Sequence, residues 1–144
     1  MSDKDFFDSN ILIYAYDTRD SNKQNQAQAL LLNATRSQTA VLSSQVLGEF
    51  FVVVTRKIPQ PMTSSEAAEV IAELGTLEVI SLDFSLVQRA IATQQKYEIS
   101  YWDSLIISAA ERAGCVRILS EDLNHGQMYH GIKVQNPFQP TARE

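Results

Sequence analysis

The chain reads as one α/β domain with a central parallel sheet of about four to five strands flanked by helices. Three observations predict this. Its 144 residues match the usual size of one domain and can bury a real core. Short apolar runs alternate with longer segments of helical period, the pattern of strands joined by helical crossovers. Glycine and proline, five and four in number, are scarce and concentrate towards turns, with no repeat or linker between them.

Residues 4–7 (KDFF) read as a first strand, followed by an acidic turn at Asp8. By composition 10–16 (NILIYAY) suits either a strand or a short helix. Residues 22–36 are rich in Ala, Leu and Gln and read as a helix. The run 40–44 (AVLSS) is a buried strand ending in two serines. After it, 46–57 carries a valine run that suits a strand, but its length and period select a helix capped by Ser44. Residues 63–75 show a Ser/Thr start, a Glu in the first turn and a Gly stop. A strand at 77–82 leads to a helix at 83–97 with Asp83 in capping position. Residues 100–114 form a helix ending at Gly114, 116–119 (VRIL) a buried strand and 120–126 a turn. A last strand at 132–138 precedes a polar tail, 139–144, so the domain core spans 5–138.

Composition narrows the function. The chain is 44% hydrophobic and 20% charged, ordinary for a soluble globular protein. No apolar run approaches the roughly 20 residues needed to cross a bilayer, and the N-terminus has no signal-peptide pattern. A lone Cys115 allows no internal disulfide, fits a reducing compartment and reads as a small buried residue. The net charge of −5 argues against a broad basic face that grips nucleic acid. Acids gathered at one site and neutralised by a cation would not repel phosphate as that count suggests.

Four carboxylates occupy places a folding chain does not need them. Asp8 ends the first strand and Asp122 follows the fourth, with Glu121 beside it. Asp103 lies three, four and seven positions before Ile106, Ile107 and Ala110, on the apolar face of its helix. Glu49 is bordered by Val46, Phe50 and Val53, and burying an unpaired carboxylate is costly. Plainer readings exist. Residues 100–103 (SYWD) also form a capping box, Asp8 suits an Asx turn, and Asp122 and Asn124 suit an ordinary turn. Glu49 has no capping task. In parallel α/β sheets, ligands bind outside the carboxyl ends of the strands. Acids converging there make an oxygen-only site that suits Mg²⁺ or Mn²⁺. Two such ions about 4 Å apart can stabilise both oxygens of a phosphodiester displacement.

The ordered set FFDSN (6–10), VLGEF around Glu49, YWDSLIISAA (101–110) and ILSED (118–122) resembles the PIN domain, and within it the VapC-type toxin ribonucleases. The resemblance runs from about residue 5 to 138. It implies a PIN-like fold and Mg²⁺- or Mn²⁺-dependent cleavage of RNA to a 3′-hydroxyl and a 5′-phosphate. It places the catalytic and metal-binding acids on Asp8, Glu49, Asp103 and Asp122. It puts Asn10 in the position that orients Asp8, and Ser120 two residues before the fourth acid. Glu121 competes with Asp122 for that fourth place. It also implies a cytoplasmic homodimer sheathed by a cognate antitoxin.

Other residues carry weaker signals. His125 and His130 fit no zinc spacing and read as loop residues. Trp102 reads as a packing residue, although an exposed indole could stack a base. Ser9 and Ser120 read equally as turn hydroxyls and as partners for carboxylate or phosphate. Arg56 and Lys57 suit a helix C-terminus first and a phosphate second. Ile11, Ile13, Tyr14, Phe51 and Val54 exceed what one core would cover and predict a partner surface. Three other functions compete. A haloacid-dehalogenase-like phosphatase using Asp8 would want D-x-D-x-T/V, and D-S-N-I-L lacks the second acid. A binding domain with purely structural acids and a PIN nuclease of RNA processing or DNA metabolism are the others.

Overall fold

The computed structural model describes residues 3–139. In chain order the elements are β1 (Asp5–Phe7), α1 (Ser9–Tyr16), α2 (Ser21–Arg36), β2 (Ala40–Ser43), α3 (Ser44–Arg56), α4 (Ser64–Leu74), β3 (Glu78–Ile80), α5 (Phe84–Tyr97), α6 (Tyr101–Ala113), β4 (Arg117–Leu119), β5 (Met128–Tyr129) and β6 (Ile132–Gln135). They build one six-stranded sheet in the order β3-β2-β1-β4-β6-β5. All pairs are parallel except β5 with β6.

The first strand is short and dry, with Phe6 and Phe7 at 0% exposure. It lies between β2 and β4, with Phe6 opposite both Val41 and Ile118. The chain lays β2 and β3 on one side of β1 and then returns with β4 on the other. The carboxyl ends of β1 and β4 therefore flank the point where strand order reverses, which is where parallel sheets leave a crevice. Asp8 and the 120–122 turn emerge there.

Several elements differ from the sequence reading. The ambiguous 10–16 segment is helix α1, because Asp8 caps it and accepts the Ser9 N–H. Helix α3 is capped by Ser43, whose hydroxyl accepts the Val46 N–H, and not by Ser44. Ser44 instead accepts the Leu82 N–H across to the residue after β3. The strands expected at 77–82 and 132–138 shorten to three and four residues. The two-residue β5 falls in a segment with no strand signal and exists by pairing back on β6. The tail from 140 onward lies outside the described residues. By contrast, α4 starts with the full Thr63–Glu66 capping box, and α6 ends at Gly114 in the left-handed region.

The surplus of apolar residues on the early helices does not materialise as proposed. Ile11 and Val54 are core residues, and Ile13, Tyr14 and Phe51 pack half-buried against it. The large apolar side chains left exposed are others, Phe84, Trp102, Leu32 and Met128 among them. Cys115 is buried beside β4, and burial pushes its thiol up to about 12, which fits the inert role.

Candidate functional site

Asp8 is held by its own strand end and by its neighbour across the switch point. Its backbone N–H donates to Leu119 O at 3.0 Å, continuing the β1–β4 ladder one residue further. Its carboxylate accepts the Ser9 N–H at 2.7 Å and the Ser120 hydroxyl at 2.7 Å. Ser120, fully buried, in turn accepts the N–H groups of Asp122 and Leu123 at 3.2 Å each. One hydroxyl thus ties the turn after β4 to the acid after β1. Asn10 adds a second tie. Its amide donates to Asp8 Oδ2 at 3.5 Å while its oxygen accepts the Glu121 N–H at 3.0 Å.

The same cavity, of about 330 Å³, is lined by Asp8, Ser9, Asn10, Gln45, Glu49, Trp102, Asp103 and Asp122. The four sequence-selected acids therefore face one space, although they come from the ends of β1 and β4, from the second turn of α3 and from the first turn of α6. Their environments differ. Asp8 is 8% exposed, Asp103 is half-buried, and Glu49 and Asp122 are exposed. The expectation that Glu49 is buried among apolar neighbours is wrong. Val46 and Phe50 turn into the core, and the Glu49 side chain stands at the rim. Its partner is Gln45, one turn earlier, at 3.5 Å. Gln45 also donates to Trp102 O at 3.3 Å, joining α3 to the start of α6. Sequence reasoning missed Gln45, and its signal was the i, i+4 spacing to Glu49.

The capping reading of Asp103 is half realised. Ser100 accepts the Asp103 N–H at 3.0 Å, but among the described residues no bond returns from the Ser100 N–H to the Asp103 carboxylate. The carboxylate is left for the cavity. Glu121 and Asp122, of which the resemblance favoured Asp122, point to different tasks. Glu121 accepts the Tyr14 hydroxyl at 2.7 Å and pairs with Lys23 at 2.5 Å, so its charge is spent on α1 and α2. Asp122 lines the cavity. Neither histidine reaches it. His125 accepts the Asn136 N–H, and His130 lies against Thr93 on α5.

Negative charge in this cavity is uncompensated. No Lys, Arg or His lines it. Among the described residues none of the four acids forms an ion pair. Burial pushes the Asp8 carboxyl up to about 6. The Ser120 and Ser9 hydrogen bonds oppose that rise, and the charges of Glu49 and Asp122 reinforce it. No three His, Cys, Asp or Glu side chains among the described residues are arranged as a ready-made metal cage. The donor set nevertheless fits a hard divalent cation. It is all oxygen, it is open on one side, and Mg²⁺ needs only one or two carboxylates beside water and phosphate oxygens. The residues supply an anionic cradle that a cation would neutralise.

A family model for the PIN domain matches residues 6–130. No curated protein sequence matches the chain. Among solved structures, a toxin–antitoxin complex from Klebsiella pneumoniae superposes with a TM-score of 0.68 at 18% identity, covering 95% of this chain and 100% of that one. VapC20 from Mycobacterium tuberculosis, a toxin that cleaves the sarcin–ricin loop, gives 0.62 at 18% identity, covering 83% and 90%. The VapBC2 complex of Rickettsia felis, bound to a promoter DNA fragment, gives 0.64 at 18% identity, covering 91% and 96%. At these identities the structural likeness speaks for the fold.

Proposed function

The chain belongs to the PIN domain family, and on that premise we propose that it is a metal-dependent endoribonuclease, the toxin of a toxin–antitoxin pair. One observation carries the reading: Asp8, Glu49, Asp103 and Asp122 face a single cavity that contains no cation of the protein's own. Such a site attracts a divalent ion, and the ion makes it hospitable to a phosphodiester.

Asp8, Asp103 and Asp122 would hold Mg²⁺ or Mn²⁺, with Glu49 at the rim as a further ligand. When bound, the cation supplies Lewis-acid activation of water and neutralises charge on the phosphate. The chain's own residues do the rest. Ser120, Ser9 and Asn10 hold the Asp8 carboxylate in one orientation, so its oxygens need not reorganise when substrate arrives. Glu49, exposed and lightly tethered by Gln45, would accept a proton from the attacking water. Glu121 acts indirectly, fixing the turn that carries Asp122 through Tyr14 and Lys23.

The reading extends to partners. Solved relatives of similar fold are complexes of toxin with antitoxin, and we assign this chain a cognate antitoxin that covers the acid cavity, a homodimeric state and a cytoplasmic location. No helix among the described residues is long and apolar enough to cross a membrane. The phosphatase alternative loses ground because Asn10 stands where that chemistry wants a second acid, and its side chain is committed to Glu121 N–H and Asp8.

The test is cleavage of RNA by the purified chain, freed from any co-purified antitoxin. Cleavage with Mg²⁺ or Mn²⁺ and none with chelator is expected, as is loss in Asp8→Asn and Asp103→Asn. Cleavage by the double variant at the wild-type rate would refute the site.

A further inference from the structure

The nuclease reading leaves open how an acidic chain holds an anionic strand. Trp102 lines the acid cavity, yet its side chain is 62% exposed, which corrects the packing role expected for it. An exposed indole beside an anionic site offers a flat face on which a base can stack. The residue is also held in place. Its carbonyl takes the Gln45 amide, and its ring meets Tyr101 edge-on at 5.0 Å. On the other side of Glu49 the cavity continues into a second groove along α3, of about 410 Å³. The two share Gln45, Glu49 and Val53, and the second ends at Lys57.

Lys57 is the basic residue on this path, and like Arg36, Arg56, Lys96 and Lys133 it pairs with no carboxylate among the described residues. Lys4, Arg19, Lys23, Arg89, Arg112 and Arg117 are all spent on carboxylates. Among the described residues no other Lys or Arg lines either groove. From Glu49 to Lys57 the helix advances about 12 Å. An aromatic face, an acid cluster and an ammonium therefore lie in sequence along one surface, the elements of a single-strand binding path.

We infer that a single RNA strand crosses the acid cavity along α3, with a base stacked on the Trp102 indole and a backbone phosphate on the Lys57 ammonium. This rests on the nuclease reading and deepens it. Trp102 and Lys57 are positioning residues. Stacking tolerates any base, so the two set where the strand lies and not which sequence is cut.

Trp102 is the only tryptophan in the chain, so its emission reports on the inference directly. The full-length Asp8→Asn chain, with Mg²⁺, is titrated with a single-stranded RNA oligonucleotide of mixed sequence. Saturable quenching of the indole is expected. Binding followed through labelled RNA should weaken roughly five- to hundredfold in the added Trp102→Ala variant, and Trp102→Phe should restore most of it. Lys57→Gln should weaken binding and flatten the slope of log affinity against log salt by about 0.7, one phosphate contact. If the wild-type chain cuts RNA while emission stays constant and these variants bind like their parent, the path is wrong and the nuclease stands. If emission instead follows protein concentration without RNA, the indole is a subunit contact and the path is also wrong. If the wild-type chain cuts no RNA with either metal, both readings fall.

Discussion

Asp8 accepts two short hydrogen bonds, has little solvent and still holds its proton up to about pH 6, so in the ionised form it opposes the fold that carries it. The sign is clear. The unfolded carboxyl releases its proton near 3.8 and the folded one near 6, so the native state binds the proton more tightly. Stability from this group is greatest at low pH and is lost as pH rises through about 6. At pH 7.5 the ionised carboxylate costs up to about 3 kcal/mol. Asp8→Asn, measured in chelator, should therefore raise the melting temperature by several degrees at pH 7.5. The gain should shrink between pH 6 and pH 4, while RNA cleavage is lost at every pH. A melting temperature unchanged or lowered at pH 7.5 would show that the buried charge is compensated by something else. Asp8 was legible as a candidate because the end of a parallel strand faces the crevice where such sheets bind ligands, although it also caps α1. Asp122 was favoured over Glu121 only by its spacing to Ser120, because what separates them physically depends on Tyr14 and Lys23, residues from two other helices. Asp122→Asn should cut the cleavage rate at least tenfold by removing a cavity acid. Glu121→Gln should lose no more than a few-fold, since it breaks only a half-exposed ion pair and keeps the Tyr14 hydroxyl as a partner. Parallel rate measurements on the two variants decide between them, and equal losses would contradict the assignment.

The turn after β4 does at the element scale what Asp8 does at the residue scale. Its Ser120 hydroxyl is one atom serving a buried carboxylate and two backbone N–H groups. Removing it leaves each of the three short of one partner. Ser120→Ala should destabilise by about 1–3 kcal/mol in urea melts and slow cleavage as well, because both Asp8 and Asp122 lose their anchor. Ser120→Thr, which keeps the hydroxyl, should recover most of the rate if the buried site admits a methyl. A Ser120→Ala chain of wild-type stability would place the hydroxyl outside the supporting network. Elements marked by local chemistry could be read from sequence, as with the Thr63–Glu66 box and the Gly114 stop. Helix α1 and strand β5 could not. The composition of α1 suits two structures, and a cap on Asp8 decides it. Strand β5 exists only because β6 offers it an edge. The cap of α3 slipped by one residue for a similar reason: Ser44 is occupied by the Leu82 N–H across the sheet.

At the scale of the whole molecule, the strand order brings acids from four distant segments to one crevice and sets the chain's −5 charge partly against itself. Alternation of strand and helix predicted the parallel sheet, but strand order and the switch point at β1 and β4 are long-range facts that no local pattern encodes. The cost of the arrangement is repulsion among carboxylates that no Lys or Arg offsets, and it can be measured. A divalent cation that binds only the folded chain should stabilise it by an amount set by its concentration over its dissociation constant, about 2.7 kcal/mol at a hundredfold excess. Adding Mg²⁺ or Mn²⁺ at fixed ionic strength should therefore raise the melting temperature by several degrees, and a monovalent salt matched in ionic strength should not. The rise should weaken below pH 6, where a proton on Asp8 competes with the metal. In a double Asp8→Asn, Asp103→Asn chain the baseline should sit higher and the metal response should vanish. A metal response of full size in that double variant would move the cation away from this crevice, and the nuclease assignment would go with it.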